Sequence, residues 1–278
     1  VIAGSVTAVA TKSDILSLET TGFANLEKKI TMPPDALFWI ASMTKPMAAV
    51  CVLQLQEAGK LSIEDPVEKH LPEFAGQWMV EARAKGKLTL KKPARAITIR
   101  DLLTHTSGLP NTNSPRPEST LAELVMSYSK TPLQFEPGDR WSYSNAGINT
   151  LGRIVEVVSR TPFADYLQTH VLDPCGMKDT TFWPSPAQAK RIATSYRPDS
   201  DGKLQPVEVY FLKGGLSNRK RTPYPAGGLY SSAADMVAFY QMMLNGGTYK
   251  GKQVLQKKTA ALMTRTQTGD IKTGFVDG

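Results

Sequence analysis

Phe38-Trp-Ile-Ala-Ser42-Met-Thr-Lys45-Pro46 is the stretch of this chain whose reading decides the fold. A serine hydroxyl is a poor nucleophile at neutral pH and needs a base beside it. A lysine three positions along a helix shares the serine's face and reaches back to the preceding turn. To act as a base that lysine must shed its proton, which burial and nearby cations favour. Ser42 and Lys45 have this spacing. Pro46 indicates where the helix starts, because proline is tolerated in the first helical turn and not in the interior. A helix beginning close to Ser42 is therefore expected. It would put the hydroxyl at the positive helix end, among backbone N–H groups able to hold an oxyanion. On spacing alone, a serine that merely caps a core helix is an equally good reading.

The spacing S-x-x-K occurs four times, at Ser42/Lys45, Ser127/Lys130, Ser200/Lys203 and Ser217/Lys220. Context separates them. Ser200 and Ser217 lie in Gly/Pro-rich loop sequence, and Ser127 ends a helix whose Lys130 runs into Thr131-Pro132. Only Ser42 stands between an apolar approach segment and an apolar helix. That helix, Met47 to Leu55, is far too short to span a membrane. It is expected to run to Ala58 and stop at Gly59.

Outward from this centre, Ser5–Ala10 and Ile15–Leu18 flank a polar turn and read as a β-hairpin. Helices are expected over 97–103, 121–128, 146–158, 163–172 and 233–244, the last closed by Gly246-Gly247. Residues 184–226 are rich in Pro, Gly and Ser and read as a long excursion.

Composition is that of a globular protein: 278 residues, 41% hydrophobic and 21% charged. The 33 basic and 25 acidic residues leave a net charge of +8. Much of the excess sits in Arg83, Lys85, Lys87, Lys91, Lys92 and Arg95, and in Arg219-Lys220-Arg221. No aromatic residue lies between Arg83 and Arg95, so a solvated surface is expected there rather than a nucleic-acid site. Cys51 falls inside the apolar helix and is expected to be buried and inert. The three histidines are widely separated, with no zinc spacing, P-loop or dinucleotide fingerprint, so no cofactor or metal is implied. There is no G-x-S-x-G for a Ser-His-Asp hydrolase.

The 38–46 stretch resembles the nucleophile motif of the serine β-lactamase and penicillin-binding-protein superfamily, nearest to class C β-lactamases and family VIII carboxylesterases. Leu102-Leu-Thr-His-Thr-Ser-Gly-Leu-Pro110, Phe135-Glu-Pro-Gly-Asp-Arg-Trp-Ser-Tyr-Ser-Asn145, Pro174-Cys-Gly-Met-Lys-Asp-Thr-Thr181 and Ala226-Gly-Gly-Leu-Tyr-Ser-Ser-Ala-Ala-Asp235 are similar to the same branch, in its order. The resemblance implies an α+β fold of β-lactamase/transpeptidase type. An antiparallel sheet flanked by helices would come from residues 1–65 and 228–278, and a mainly helical domain from 66–227. It also implies catalytic roles for Ser42, Lys45 and Tyr143, the last in the chain's single Y-x-N, Tyr143-Ser-Asn145. Tyr143 would relay a proton to the leaving group, Asn145 would hold the substrate's acyl side, and His105 would be structural. The oxyanion would rest on the N–H of Ser42 and one from a later strand.

The implied function is a serine hydrolase that forms an acyl-enzyme with a small ester or β-lactam. The alternatives are a D-Ala peptidase of penicillin-binding type, or an acylated sensor without turnover. Many relatives are exported, so a bacterial periplasmic or secreted protein is expected, with the cytoplasm left open; oligomeric state is not indicated. The family's third motif is spelled by Lys272-Thr273-Gly274. It follows a turn rather than a strand, so a coincidence is the preferred reading. Both ends are expected to be trimmed and the working motif to lie beyond Gly278.

Overall fold

β-Branched and aromatic residues on either side of Lys12-Ser-Asp14 favour extended backbone. The computed structural model, which describes residues 2–84, 86–111, 117–209 and 213–274, pairs them as antiparallel strands β1 (Gly4–Ala10) and β2 (Ile15–Asn25). β2 continues past Leu18 because Thr20, Thr21 and Phe23 are strand formers too, and β3 (Ile30–Thr31) pairs with its far end. β4 (Phe38–Trp39) then enters a 3-10 turn, Ala41–Thr44, and helix α1 (Lys45–Glu57).

The α-helix thus begins at Lys45, three residues later than Ser42. Ala41 has φ +47, which no α-helical residue can adopt, and Pro46 is confined to the first turn. Residues 41–44 take the tighter winding instead. Met47, Ala48, Val50, Cys51, Val52, Leu53 and Leu55 are all buried, so α1 is apolar on every side and central to the core. Gly59, at φ +66, ends it: the N–H groups of Gly59 and Lys60 bond Gln56 O at 2.9 Å and Leu55 O at 3.0 Å.

The basic run, whose Lys85 lies outside the described residues, is solvent-exposed at Arg83, Lys87, Lys91, Lys92 and Arg95 and spans a hairpin of β5 (Met79–Ala84) and β6 (Lys87–Lys91). Its base is sewn to a distant segment by Val80 N–H to Leu133 O and Leu133 N–H to Trp78 O, at 2.8 and 2.9 Å. Helix α2 (Ile99–Leu103) opens on a Thr98–Asp101 capping box and α3 (Leu121–Ser129) on Thr120–Glu123. α4 (Asn145–Ser159) is capped by Ser144, and α5 (Phe163–Leu167) continues as a π turn through Leu172.

The 184–226 excursion holds α6 (Pro186–Ala189) and the short hairpin β7 (Tyr196–Pro198) and β8 (Leu204–Pro206). β9 (Tyr230–Ser231) returns to pair with β4. Last come α7 (Ala233–Leu244), the hairpin β10 (Thr248–Tyr249) and β11 (Lys252–Gln253), and α8 (Lys257–Met263).

One core joins α1 to α2, α3, α4, α5 and α7. α4 lies across α1 and α3, and α7 covers β1. Asn145, Asn149 and Gly152 share one face of α4 by their spacing. There Pro225 packs so closely that a Cβ on Gly152 would overlap its ring.

Candidate active site

A 3-10 helix has three residues per turn, so side chains three apart stack in line. The turn Ala41–Thr44 therefore presents Ser42 directly above Lys45, whose Nζ lies 3.0 Å from Ser42 Oγ. Ala41 is held in the left-handed region, a strain of roughly 1–3 kcal/mol for a residue with a Cβ. Its carbonyl accepts from Thr44 Oγ1 at 2.7 Å, and Thr44 Oγ1 accepts from Leu229 N–H at 3.3 Å.

Lys45 has two further partners, Asn145 Oδ1 at 2.9 Å and Ala226 O at 2.6 Å. Only 8% of it is exposed, and among the described residues no carboxylate pairs with it. Burial therefore disfavours its charged form and lowers its pKa from 10.5 to about 8. Tyr143 O–H donates to Ser42 Oγ at 2.6 Å, and the Lys45 amine sits 4.6 Å from the Tyr143 ring centre.

Tyr143 and Asn145 straddle the cap of α4: Ser144 Oγ accepts from Gly147 N–H at 3.0 Å and starts the helix. Both flanking side chains thereby turn toward Lys45 and Ser42. His105, behind Tyr143, accepts from Ser144 N–H on Nδ1 at 3.1 Å. Burial, with the Lys45 charge adding to it, lowers its pKa to about 4. The imidazole stays neutral at ordinary pH and faces the cap rather than the Ser42 hydroxyl.

The structure brings together all four expected residues, Ser42, Lys45, Tyr143 and Asn145. It adds several that the sequence did not single out. A cavity of about 150 Å³ opens beside Ser42, lined by Trp39, Asn149, Tyr224 and Gly227 along with Ser42 and Asn145. Trp39 Nε1 donates to Gly227 O at 2.6 Å and fixes one wall. Asn149 Oδ1 accepts from Ala226 N–H at 3.1 Å, steadying the peptide whose carbonyl holds Lys45. An amide four residues after Asn145, on an otherwise apolar stripe, was the available signal for Asn149.

Lys272-Thr273-Gly274 is exposed, lies in no strand and does not line this cavity. Among the described residues no group of three or more His, Cys, Asp or Glu could hold a metal ion. No helix among them is long and apolar enough to cross a membrane.

The fold, with a serine on the turn leading into a buried central helix between sheet and helical layers, is of β-lactamase/transpeptidase type. The Beta-lactamase family model matches residues 1–276, and the chain belongs to that family. Protein Rv1367c of Mycobacterium tuberculosis is 35% identical over 286 aligned positions, covering 94% of this chain and 67% of that protein. Esterase EstB of Burkholderia gladioli is 32% identical over 268 positions, covering 85% of this chain and 64% of its own length. The solved structure of EstCE1, described as a hydrolase with promiscuous acyltransferase activity, matches with a TM-score of 0.76 at 26% identity. That match covers 94% of this chain and 72% of EstCE1. The chain therefore spans about two thirds of the length of these curated relatives.

Proposed function

We propose that the protein is a serine hydrolase that forms an acyl-enzyme on Ser42, acting on carboxylic esters and, by the same chemistry, on β-lactam amides. The observation that carries this reading is the convergence of two proton-handling groups on one hydroxyl: Lys45 Nζ at 3.0 Å and Tyr143 O–H at 2.6 Å from Ser42 Oγ. Asn145 Oδ1 and Ala226 O can only accept, so a neutral Lys45 spends its two N–H donors on them and turns its lone pair to Ser42.

Ser42 Oγ attacks the substrate carbonyl as its proton passes to Lys45. The tetrahedral intermediate collapses when Tyr143 O–H protonates the departing alcohol or amine, and the protonated Lys45 restores the tyrosine. Water then attacks the acyl-enzyme with the same pair managing its proton, and Ser42 is released. Asn145 stands beside the nucleophile to hold the acyl side of the substrate.

Esters of small acyl groups are favoured over β-lactams. The cavity of about 150 Å³ matches in volume an engineered protein cavity of about 150 Å³ that holds benzene. An esterase is also among the relatives. The test is covalent labelling by a fluorophosphonate or a fluorescent penicillin, with turnover of p-nitrophenyl acetate alongside. Ser42→Ala is expected to abolish both, and labelling that survives the substitution would sink the assignment.

A further inference from the structure

Residues 140–144 carry Tyr143 yet belong to no helix or strand. What holds the tyrosine hydroxyl 2.6 Å from Ser42 Oγ must therefore come from another part of the chain. We infer that Asn111 and His105 form a clamp on the Tyr143-Ser144-Asn145 backbone, and that Asn111 is a positioning residue for the chemistry at Ser42. This rests on the hydrolase reading above.

The clamp is made of four hydrogen bonds to consecutive residues. His105 accepts Ser142 N–H on its carbonyl at 2.9 Å and Ser144 N–H on Nδ1 at 3.1 Å. Asn111 Nδ2 donates to Tyr143 O at 2.8 Å, and Asn111 Oδ1 accepts Asn145 N–H at 2.6 Å. One amide thus spends a donor and an acceptor on the two peptide groups that flank Ser144. No aliphatic or carboxylate side chain offers that pair of functions. The His105 ring lies 4.7 Å from the Tyr143 ring, tilted by 32°, and backs the tyrosine on one face.

The clamp is itself braced. Thr106 O accepts from Gly138 N–H and Gly108 O from Gln134 N–H, both at 2.8 Å. Gly108 has φ +75, and a Cβ there would sit 2.5 Å from Phe135 O, so only glycine lets the loop lie this close. The segment 105–111 therefore transmits the position of a fixed loop to Tyr143 and Asn145 through main-chain bonds. Neither Asn111 nor His105 needs to touch substrate.

Two variants of Asn111 separate placement from folding. Asn111→Asp keeps the shape and the acceptor for Asn145 N–H but sets an oxygen against Tyr143 O. Asn111→Ala removes both bonds. With p-nitrophenyl acetate, kcat is expected to fall about tenfold in the first and about a hundredfold in the second, as a displacement near 1 Å would produce. KM should hold within about twofold and Tm within about 3 °C. The rate of fluorophosphonate labelling at Ser42 should fall in parallel with kcat. Wild-type rates in both variants would overturn the clamp. So would a loss of rate matched by a comparable rise in KM and a large drop in Tm, which marks a merely structural asparagine. Labelling that persists in Ser42→Ala defeats the hydrolase reading itself, without reference to Asn111.

Discussion

Ser42/Lys45 and Ser127/Lys130 have the same spacing in one chain and opposite surroundings. Ser127 turns back on its own helix, donating to Leu124 O at 2.6 Å, and Lys130 caps α3 with its side chain in water. Lys45 is buried against two fixed acceptors, and both its Nζ and the Tyr143 hydroxyl lie within hydrogen-bond distance of Ser42 Oγ. Spacing makes such a pair possible. Burial without a compensating carboxylate disfavours the charged form of Lys45, as the proposed base requires, whereas Lys130 is exposed and has no such environment.

The largest expected effect tests that contrast directly. Lys45→Ala should lower kcat/KM for p-nitrophenyl acetate by about 10³-fold. Lys130→Ala should leave it within about twofold, as is usual for an exposed side chain away from the chemistry. Comparable losses in the two variants would show that burial is not the distinguishing factor.

The pH dependence sharpens the same point. With Lys45 titrating at about 8, kcat/KM should rise with pH and level off above that value, falling about tenfold per unit below it. Stability should carry the matching signature. Because the folded-state pKa lies below the ordinary 10.5, the unfolded chain binds the extra proton between about 8 and 10.5. The wild type should therefore gain stability relative to Lys45→Met as pH rises through that window, and forgo this gain below pH 8. Parallel thermal melts at pH 7.5 and 10.5 would show it, and a constant difference in Tm would count against a neutral buried lysine.

The smallest effect concerns Ala41. Ala41→Gly relieves the strain at φ +47 and should raise stability by no more than about 1 kcal/mol, since glycine's extra unfolded-state freedom offsets part of the relief. Turnover should change by less than about threefold. A fall in Tm would show that the turn tolerates alanine there without strain.

Much of the site was legible because its chemistry is written locally. Pro46 narrows the helix start, and an apolar run on either side singles out Ser42. Tyr143 and Asn145 became visible through family resemblance rather than through any pattern of their own. Asn111 was not legible, because it acts by bonding the backbone of a segment remote in sequence, which leaves no periodic trace; Asn149 showed only as an amide one turn after Asn145, with nothing local to mark its bond to Ala226 N–H. The hairpin over 79–91 was hidden for a similar reason: its charged, Gly-broken sequence looks like loop, and its base is fixed by main-chain bonds to Leu133. The reverse case is Lys272-Thr273-Gly274, where the letters of a motif occur without the strand that would give them meaning.

The glycine at position 152 lies two turns from Asn145 and takes no part in the chemistry. It nonetheless bears on the cleft through its contact with Pro225. By leaving room for Pro225, it lets the Tyr224-Pro225-Ala226 corner rest on α4. That corner supplies both the carbonyl that grips Lys45 and the tyrosine that lines the cavity. One absent methyl group, at a helix position where glycine is disfavoured by about 1 kcal/mol, leaves the space in which Pro225 seats that corner against the helix. Widening or narrowing the cleft by engineering should begin at this buried spacer rather than among the residues that meet the substrate.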